Sequence, residues 1–152
     1  MFNWVTVYYS KAKEEFDETG QPKTLEQMLA DVKECEEAFN NFQAKYPDYK
    51  QENVLWCLAE VWRNIDIKES YVNGRALKYF EQLIAMAEKQ GLSNSYFILS
   101  NAYHYNAIYY YIVVKDLNKG IAYAKKFKEL NPESTDLDKI INTKVNTSRR
   151  RR

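Results

Sequence analysis

The sequence contains few of the residues that interrupt helices, with 4 glycines and 3 prolines in a chain of 152 residues. A sheet fold of this length needs many tight turns, which glycine and proline normally supply. Their scarcity therefore favours a few long helices. Hydrophobic residues make up 45% of the chain and charged residues 28%, a balance that argues against disorder and suits one compact domain.

The sequence is also poor in residues that carry catalytic or metal chemistry, with one histidine and two cysteines. His104 has no suitably spaced nucleophile or metal ligand, so we interpret it as a packing residue. Cys35 and Cys57 lie within apolar helical patterns, which predicts two buried thiols; a disulfide or a reactive thiol is the alternative. The sequence thus predicts no catalytic residue, no cofactor, no metal site and no enzyme.

No stretch of the sequence approaches the ~20 apolar residues that cross a bilayer, so we expect no membrane insertion. The start, Met1-Phe2-Asn3-Trp4, lacks the charged and apolar regions of a secretory signal. As the chain stands, these features predict a cytoplasmic protein. An exported or periplasmic location follows if a signal or an upstream region has been removed.

Positive charge is concentrated at one end of the sequence, in Arg149, Arg150, Arg151 and Arg152. Without these four, the chain has 18 basic and 21 acidic residues and a formal charge of −3. A weakly acidic body gives no electrostatic reason to bind nucleic acid, except through the arginine tail. We expect residues 146–152 to form a disordered basic tail, in which Asn146-Thr147-Ser148 also matches a glycosylation sequon.

Aromatic residues, in contrast, are plentiful at 15%, and 13 of them are tyrosines. Apolar residues recur three and four positions apart along almost the whole chain, which is the helical period. This spacing predicts an all-α fold of about seven helices, over 2–16, 25–46, 52–65, 74–89, 96–114, 117–130 and 136–144. On the first helix, Trp4, Val5, Tyr8, Tyr9, Ala12 and Phe16 are predicted to face inward.

Local signals predict where several of these helices begin and end. Thr24 and Gln27 have the spacing of a capping box at the start of the second helix. Gly91 suits a helix end, and Ser93 or Asn94 suits the next N-cap. The stretch Asp66–Asn73 is predicted to be a polar connection, and Lys115-Asp116 a short turn.

The helices also follow a repeat. In the last pair, Lys119-Gly120-Ile121-Ala122-Tyr123 and Glu129-Leu130-Asn131-Pro132 resemble the second helix and closing turn of a tetratricopeptide (TPR) repeat. Gly120 stands where that repeat needs a small residue for a close helix crossing, although Phe127 fills a normally small site. The middle pair matches through Leu55, Leu58, Ala59, Trp62, Ala76 and Phe80, and the first pair through Cys35 and Phe39.

Residues 35–131 further resemble TPR proteins common in Bacteroidetes. The shared features are Pro47-Asp48-Tyr49, Leu55-Trp56, the lengthened Asp66–Asn73 turn, and Tyr109-Tyr110-Tyr111 leading to Lys115-Asp116. The TPR resemblance implies antiparallel helix pairs stacked as a short right-handed superhelix. It also implies a single domain over 1–145, with about three helix pairs and a C-terminal capping helix.

The resemblance implies a non-catalytic scaffold or protein-interaction module that binds a peptide or a partner helix in the concave groove of the superhelix. First helices line such a groove, and its contact candidates here are Trp56, Glu60, Arg63, Tyr105, Asn106 and Tyr109. An alternative for the aromatic members of this set is packing against the first long helix or the C-terminal one. The identity of the partner and self-association stay open.

A second hypothesis is a structural subunit of a larger assembly. In that case the repeats are buried in the assembly, and Arg149–Arg152 contact an acidic partner or RNA.

Overall fold

The computed structural model describes residues 3–90 and 95–145, and within them it confirms an all-α fold with seven helices and no strand. The predictions at Phe2, Gly91, Ser93, Asn94 and residues 146–152 lie outside the described residues. The helices are α1 (Asn3–Lys13), α2 (Leu25–Lys45), α3 (Gln51–Lys68), α4 (Leu77–Gln90), α5 (Ser95–Tyr109, followed by a π-helical turn Tyr110–Val114), α6 (Leu117–Leu130) and α7 (Asp138–Ile141).

The chain divides into two compact units, Met1–Leu92 with α1 to α4 and Ser93–Arg152 with α5 to α7. In the N-terminal unit, α2 packs against both α1 and α3, α3 packs against α4, and α1 also contacts α3. In the C-terminal unit, α6 packs against α5 and α7. The single domain over 1–145 stays a prediction.

The long helix α2 begins as its sequence predicts. The Thr24 hydroxyl accepts a hydrogen bond from the Gln27 amide at 3.2 Å, and the Gln27 side chain accepts one from the Thr24 amide at 2.8 Å. This reciprocal pair satisfies two backbone donors that a helix start leaves open. Beyond the cap, the apolar face of α2 is buried through Val32, Cys35 and Phe39.

The end of α1 differs from the prediction, because the helix ends at Lys13 and does not continue to Phe16. The Asp17 carboxylate accepts hydrogen bonds from the backbone amides of Thr19 and Gln21 at 2.9 and 3.0 Å. Such side-chain bonds offer the backbone an alternative to the helix. Phe16, predicted to face inward, is 55% exposed as a result.

The connection between α3 and α4 also differs, because α3 continues to Lys68 and the predicted loop residue Asp66 is fully buried. Its carboxylate accepts hydrogen bonds from the amides of Arg75 at 3.0 Å and Ala76 at 2.8 Å, at the start of α4. Beside Asp66, Arg75 forms a 2.9 Å ion pair with Glu69, which lowers the pKa of the Glu69 carboxyl group. A buried carboxyl group that accepts hydrogen bonds from two backbone amides therefore organises this turn.

The helix predicted over 96–114 is confirmed, but its last turn is π-helical. Lys115 then adopts a left-handed backbone with φ of 63°, and Asp116 caps α6 by accepting from the Lys119 amide at 3.0 Å. A Cβ atom on Gly120 would lie 2.9 Å from the Tyr111 Cβ. Glycine at this position lets α6 approach the end of α5 closely.

The last helix is shorter than predicted, at Asp138–Ile141 where the sequence indicated residues 136–144. Leu137 and Ile140 are buried, so the segment packs through the apolar side that its sequence predicts.

Candidate functional site

Helix α1 is attached to the rest of the N-terminal unit through one of its sides. Val5 and Ala12 are buried there, and the ring of Tyr9 meets Phe39 of α2 edge-on, with ring centroids 6.4 Å apart. Spacings of four and three residues put Val5, Tyr9 and Ala12 on a single stripe of the helix. Val5 and Ala12 are buried and Tyr9 is half-buried, which confirms the inward positions predicted for these three residues.

The same side of α1 carries a polar contact with α3. The Tyr9 hydroxyl donates a hydrogen bond to the Glu60 carboxylate, and the Lys13 ammonium lies 3.1 Å from the other carboxylate oxygen. Burial, together with the hydrogen bond to Glu60, raises the pKa of Tyr9 well above its ordinary value. Tyr9 therefore stays protonated and continues to donate at neutral pH.

These bonds limit the access of a partner to Glu60 of α3. Glu60 was predicted to contact a partner, yet its carboxylate is already bound by two side chains of α1. Trp56 and Arg63, the other two candidates on α3, are half-buried. At Glu60, therefore, α1 occupies the place that the sequence assigned to a partner.

The candidates on α5 are similarly enclosed. Tyr105 is 1% exposed and stacks on Tyr109, with ring centroids 6.2 Å apart and an interplanar angle of 7°. Asn106 is fully buried, and neither atom of its side-chain amide has a hydrogen-bond partner among the described residues. Tyr109 is half-buried and meets Tyr110 edge-on. A role for these residues in binding stays a prediction.

The other side of α1 is open, although Trp4 and Tyr8 were predicted to face inward. Trp4 is 44% exposed and Tyr8 37% exposed. The Trp4 ring packs edge-on against the buried ring of Phe42, with ring centroids 6.1 Å apart and an interplanar angle of 62°. The remaining ring surface faces a groove of about 520 Å³ between α1 and α2, which Glu37 and Asn41 also line.

A second groove, of about 350 Å³, adjoins the first and shares Lys11 and Glu34 with it. Phe16, Glu14 and Glu18 are among its lining residues. We call the two adjoining grooves the α1–α2 seam. Exposed aromatic rings therefore lie at both ends of the seam, and charged side chains lie between them.

Another groove of about 490 Å³ lies beside α4 and is lined in part by Glu36, Trp62 and Arg75. These side chains already engage other groups of the protein. Glu36 accepts hydrogen bonds from the Trp62 indole at 3.2 Å and from the Tyr79 hydroxyl, and the Arg75 guanidinium lies over the Trp62 ring at 5.5 Å. The Trp62 ring in this groove is buried, whereas the Trp4 and Tyr8 rings in the α1–α2 seam are exposed.

Both cysteines are free and buried, which confirms the predicted buried thiols. Burial raises the pKa of Cys35 to about 12 and that of Cys57 to about 11. Both thiols are thus protonated and poorly nucleophilic at neutral pH.

His104 packs as the sequence suggests. It meets Phe127 edge-on, with ring centroids 5.1 Å apart, and its Nε2 lies 4.0 Å from the Asp136 carboxylate. Arg149–Arg152, the predicted basic tail, lie outside the described residues.

The seam contains residues that the sequence interpretation did not assign to a binding site, namely Trp4, Tyr8 and Phe16. A signal was present, because the apolar residues of α1 form two stripes, Trp4–Tyr8 and Val5–Tyr9–Ala12, and one helix face can bury only part of them.

Comparison of the chain with protein-family models, with curated proteins and with solved structures found no match. No described helix has the length and apolar character that crossing a membrane requires.

Proposed function

We propose that the protein is a non-catalytic protein-interaction module that binds a segment of a partner protein along the α1–α2 seam. The exposed Trp4 and Tyr8 rings above the first groove are the observation that carries this proposal. Aromatic side chains are enriched at the centres of protein interfaces, where they contribute much of the binding energy.

The seam is a better candidate than the groove predicted from the repeat pattern. Glu60 is already bound by α1, and Tyr105 and Asn106 are buried. Trp4, in comparison, is positioned by Phe42 while much of its ring is open to solvent. A ring whose position is already set loses little conformational freedom on binding.

We further propose that the scaffold is a TPR-like array. Two observations support this: α1 contacts α3 as well as α2, as the first helices of neighbouring pairs do in stacked repeats, and Gly120 sits at a close helix approach. The concave groove, the structural-subunit hypothesis and the contact made by the arginine tail stay predictions.

Site-specific photo-crosslinking tests the proposed surface. A photoreactive amino acid replaces Asn41, an exposed residue that lines the first groove, and in a matched control it replaces Ala122, an exposed residue of α6. We expect a defined protein adduct from position 41, lost when Trp4→Ala and Tyr8→Ala are added, and none from position 122. No adduct, or the same adducts from both positions, would contradict the proposal.

A further inference from the structure

The α1–α2 seam carries a surplus of negative charge. Six acidic and two basic side chains line its two grooves, which gives a net charge of −4. The two basic residues are already engaged, because Lys11 lies 3.2 Å from Asp31 and 3.0 Å from Glu34, and Lys23 lies 2.8 Å from Asp31. Asp31 and Glu34 therefore have internal counter-charges.

One of the four surplus charges belongs to Asp17, whose carboxylate already accepts hydrogen bonds from two backbone amides. The other three lie on Glu14, Glu18 and Glu37. All three are exposed, and no basic side chain in the described parts of the chain forms an ion pair with them. Their carboxylates can therefore accept a cationic partner without breaking a bond within the protein.

Aromatic rings lie close to these carboxylates. Trp4 and Tyr8 line the same groove as Glu37, and Phe16 lines the same groove as Glu14 and Glu18. A guanidinium group can stack on an aromatic ring and at the same time form paired hydrogen bonds to a carboxylate. A lysine ammonium satisfies the charge but lacks the planar geometry.

The length of α1 sets the minimum size of a ligand that follows the seam. Helix α1 has 11 residues and is therefore roughly 16 Å long. An extended peptide covers that distance with about five residues.

We propose that the α1–α2 seam binds an extended, arginine-rich segment of a partner protein. This inference rests on the proposed function and adds the chemistry of the partner. Its arginines stack on Trp4, Tyr8 and Phe16 and pair with the glutamates that have no internal counter-charge.

Fluorescence anisotropy with labelled peptides tests this chemistry on the full chain. Three peptides of equal length carry four arginines, four lysines or four glutamates in a glycine-serine background. We expect the arginine peptide to bind most tightly, the lysine peptide several-fold more weakly, and the glutamate peptide not to bind. Raising the salt concentration should weaken binding, because the charges are exposed. Absent binding, or equal binding of the arginine and glutamate peptides, would overturn the proposal.

Two double variants of equal net charge locate the site. The variant Glu14→Gln with Glu37→Gln should bind the arginine peptide about fivefold more weakly, since each exposed ion pair contributes modestly to the affinity. The control, Glu129→Gln with Glu133→Gln, changes two exposed glutamates of the C-terminal unit and should alter affinity less than about twofold. An equal loss in both variants would show that total charge, and not the seam, attracts the peptide.

A second copy of this chain could also supply arginines, from Arg149–Arg152. Sedimentation velocity of the full chain and of a chain lacking these four residues distinguishes the two sources. We expect both chains to sediment as monomers. A dimer that disappears on truncation would show that the arginines come from a second copy of this chain and not from a partner protein. A protein adduct at position 41 without peptide binding would overturn the arginine chemistry but retain the proposed function, and the absence of both would overturn both.

Discussion

The two units each bury a polar side chain, and the two side chains differ in their hydrogen bonding. Asp66 of the N-terminal unit and Asn106 of the C-terminal unit are both fully buried. Asp66 accepts hydrogen bonds from two backbone amides, whereas the Asn106 amide has no partner among the described residues. Burial alone therefore does not indicate whether a polar residue stabilises its unit, because the outcome depends on its partners.

The largest effect is expected at Asp66. Asp66→Ala leaves the buried amide of Ala76 and the neighbouring amide of Arg75 without their acceptor, so the free energy of unfolding should fall by about 3 kcal/mol or more. Tryptophan fluorescence during urea unfolding measures this, because all three tryptophans lie in the N-terminal unit. The control Asp48→Ala, at an exposed position, should cost less than about 0.5 kcal/mol, and a similar loss in both variants would contradict the role of Asp66.

Alkaline pH should also destabilise the N-terminal unit, which contains both cysteines. Unfolded thiols lose their protons near 9.0, whereas burial holds the pKa of Cys35 near 12 and that of Cys57 near 11. The folded state thus binds more protons above pH 9, and the free energy of unfolding falls as the pH rises. The expected loss is between about 1 and 2 kcal/mol for each thiol at pH 10.

Urea unfolding at pH 7 and pH 10, followed by tryptophan fluorescence, measures this loss. A Cys35→Ala, Cys57→Ala variant should lose about 3 kcal/mol less than the natural chain over this range. Identical pH dependence in the two proteins would show that the thiols do not contribute.

In the C-terminal unit, Gly120→Ala is expected to cause a smaller loss of stability. The added methyl group would lie 2.9 Å from the Tyr111 Cβ, so α6 has to shift. Overpacking of this kind costs about 1–3 kcal/mol, partly offset by the better helix propensity of alanine, which is worth about 1 kcal/mol. Thermal unfolding followed by circular dichroism should show a lower Tm, while Asn118→Ala at an exposed site of α6 should leave Tm nearly unchanged.

The smallest effect is expected at Asn106, and its sign distinguishes it from Asp66. Asn106→Leu removes a buried amide that has no partner among the described residues, so stability should stay equal or rise by about 1 kcal/mol. Circular dichroism during urea unfolding measures the change. A loss of about 2 kcal/mol would mean that the amide makes a bond that the structure does not show, which would remove the contrast between the units.

Much of the fold could be predicted because its signals are local. The capping box of Thr24 and Gln27 spans four residues, and the apolar face of α2 repeats with the helical period. Gly120 was similarly recognisable from its place in the repeat, and a close helix approach does lie there.

The burial of Asp66 could not be predicted in the same way. It depends on two amides that lie nine and ten residues further along the chain and turn back to face the carboxylate. A charged residue near a helix end is normally exposed to solvent. At Asp66 the hydrogen bonds from the turn before α4 override this preference.

The candidate site was predictable only in part. The sequence identified α1 as an apolar helix, but the choice of the buried stripe depends on how α1 docks on α2 and α3. The bonds from Tyr9 and Lys13 to Glu60 accompany that docking, and they leave Trp4 and Tyr8 exposed. These contacts join residues about 50 positions apart, which periodicity cannot relate.

The most direct test of the α1–α2 seam as the binding surface for an arginine-rich segment is fluorine NMR of the full chain labelled with fluorotryptophan. Trp4 lies in the seam, Trp56 on the face predicted from the repeat, and Trp62 in the groove beside α4. On titration with the arginine peptide, the Trp4 resonance should shift, and the Trp56 and Trp62 resonances should stay in place. A shift of Trp56 without a shift of Trp4, or no shift at all, would contradict the account.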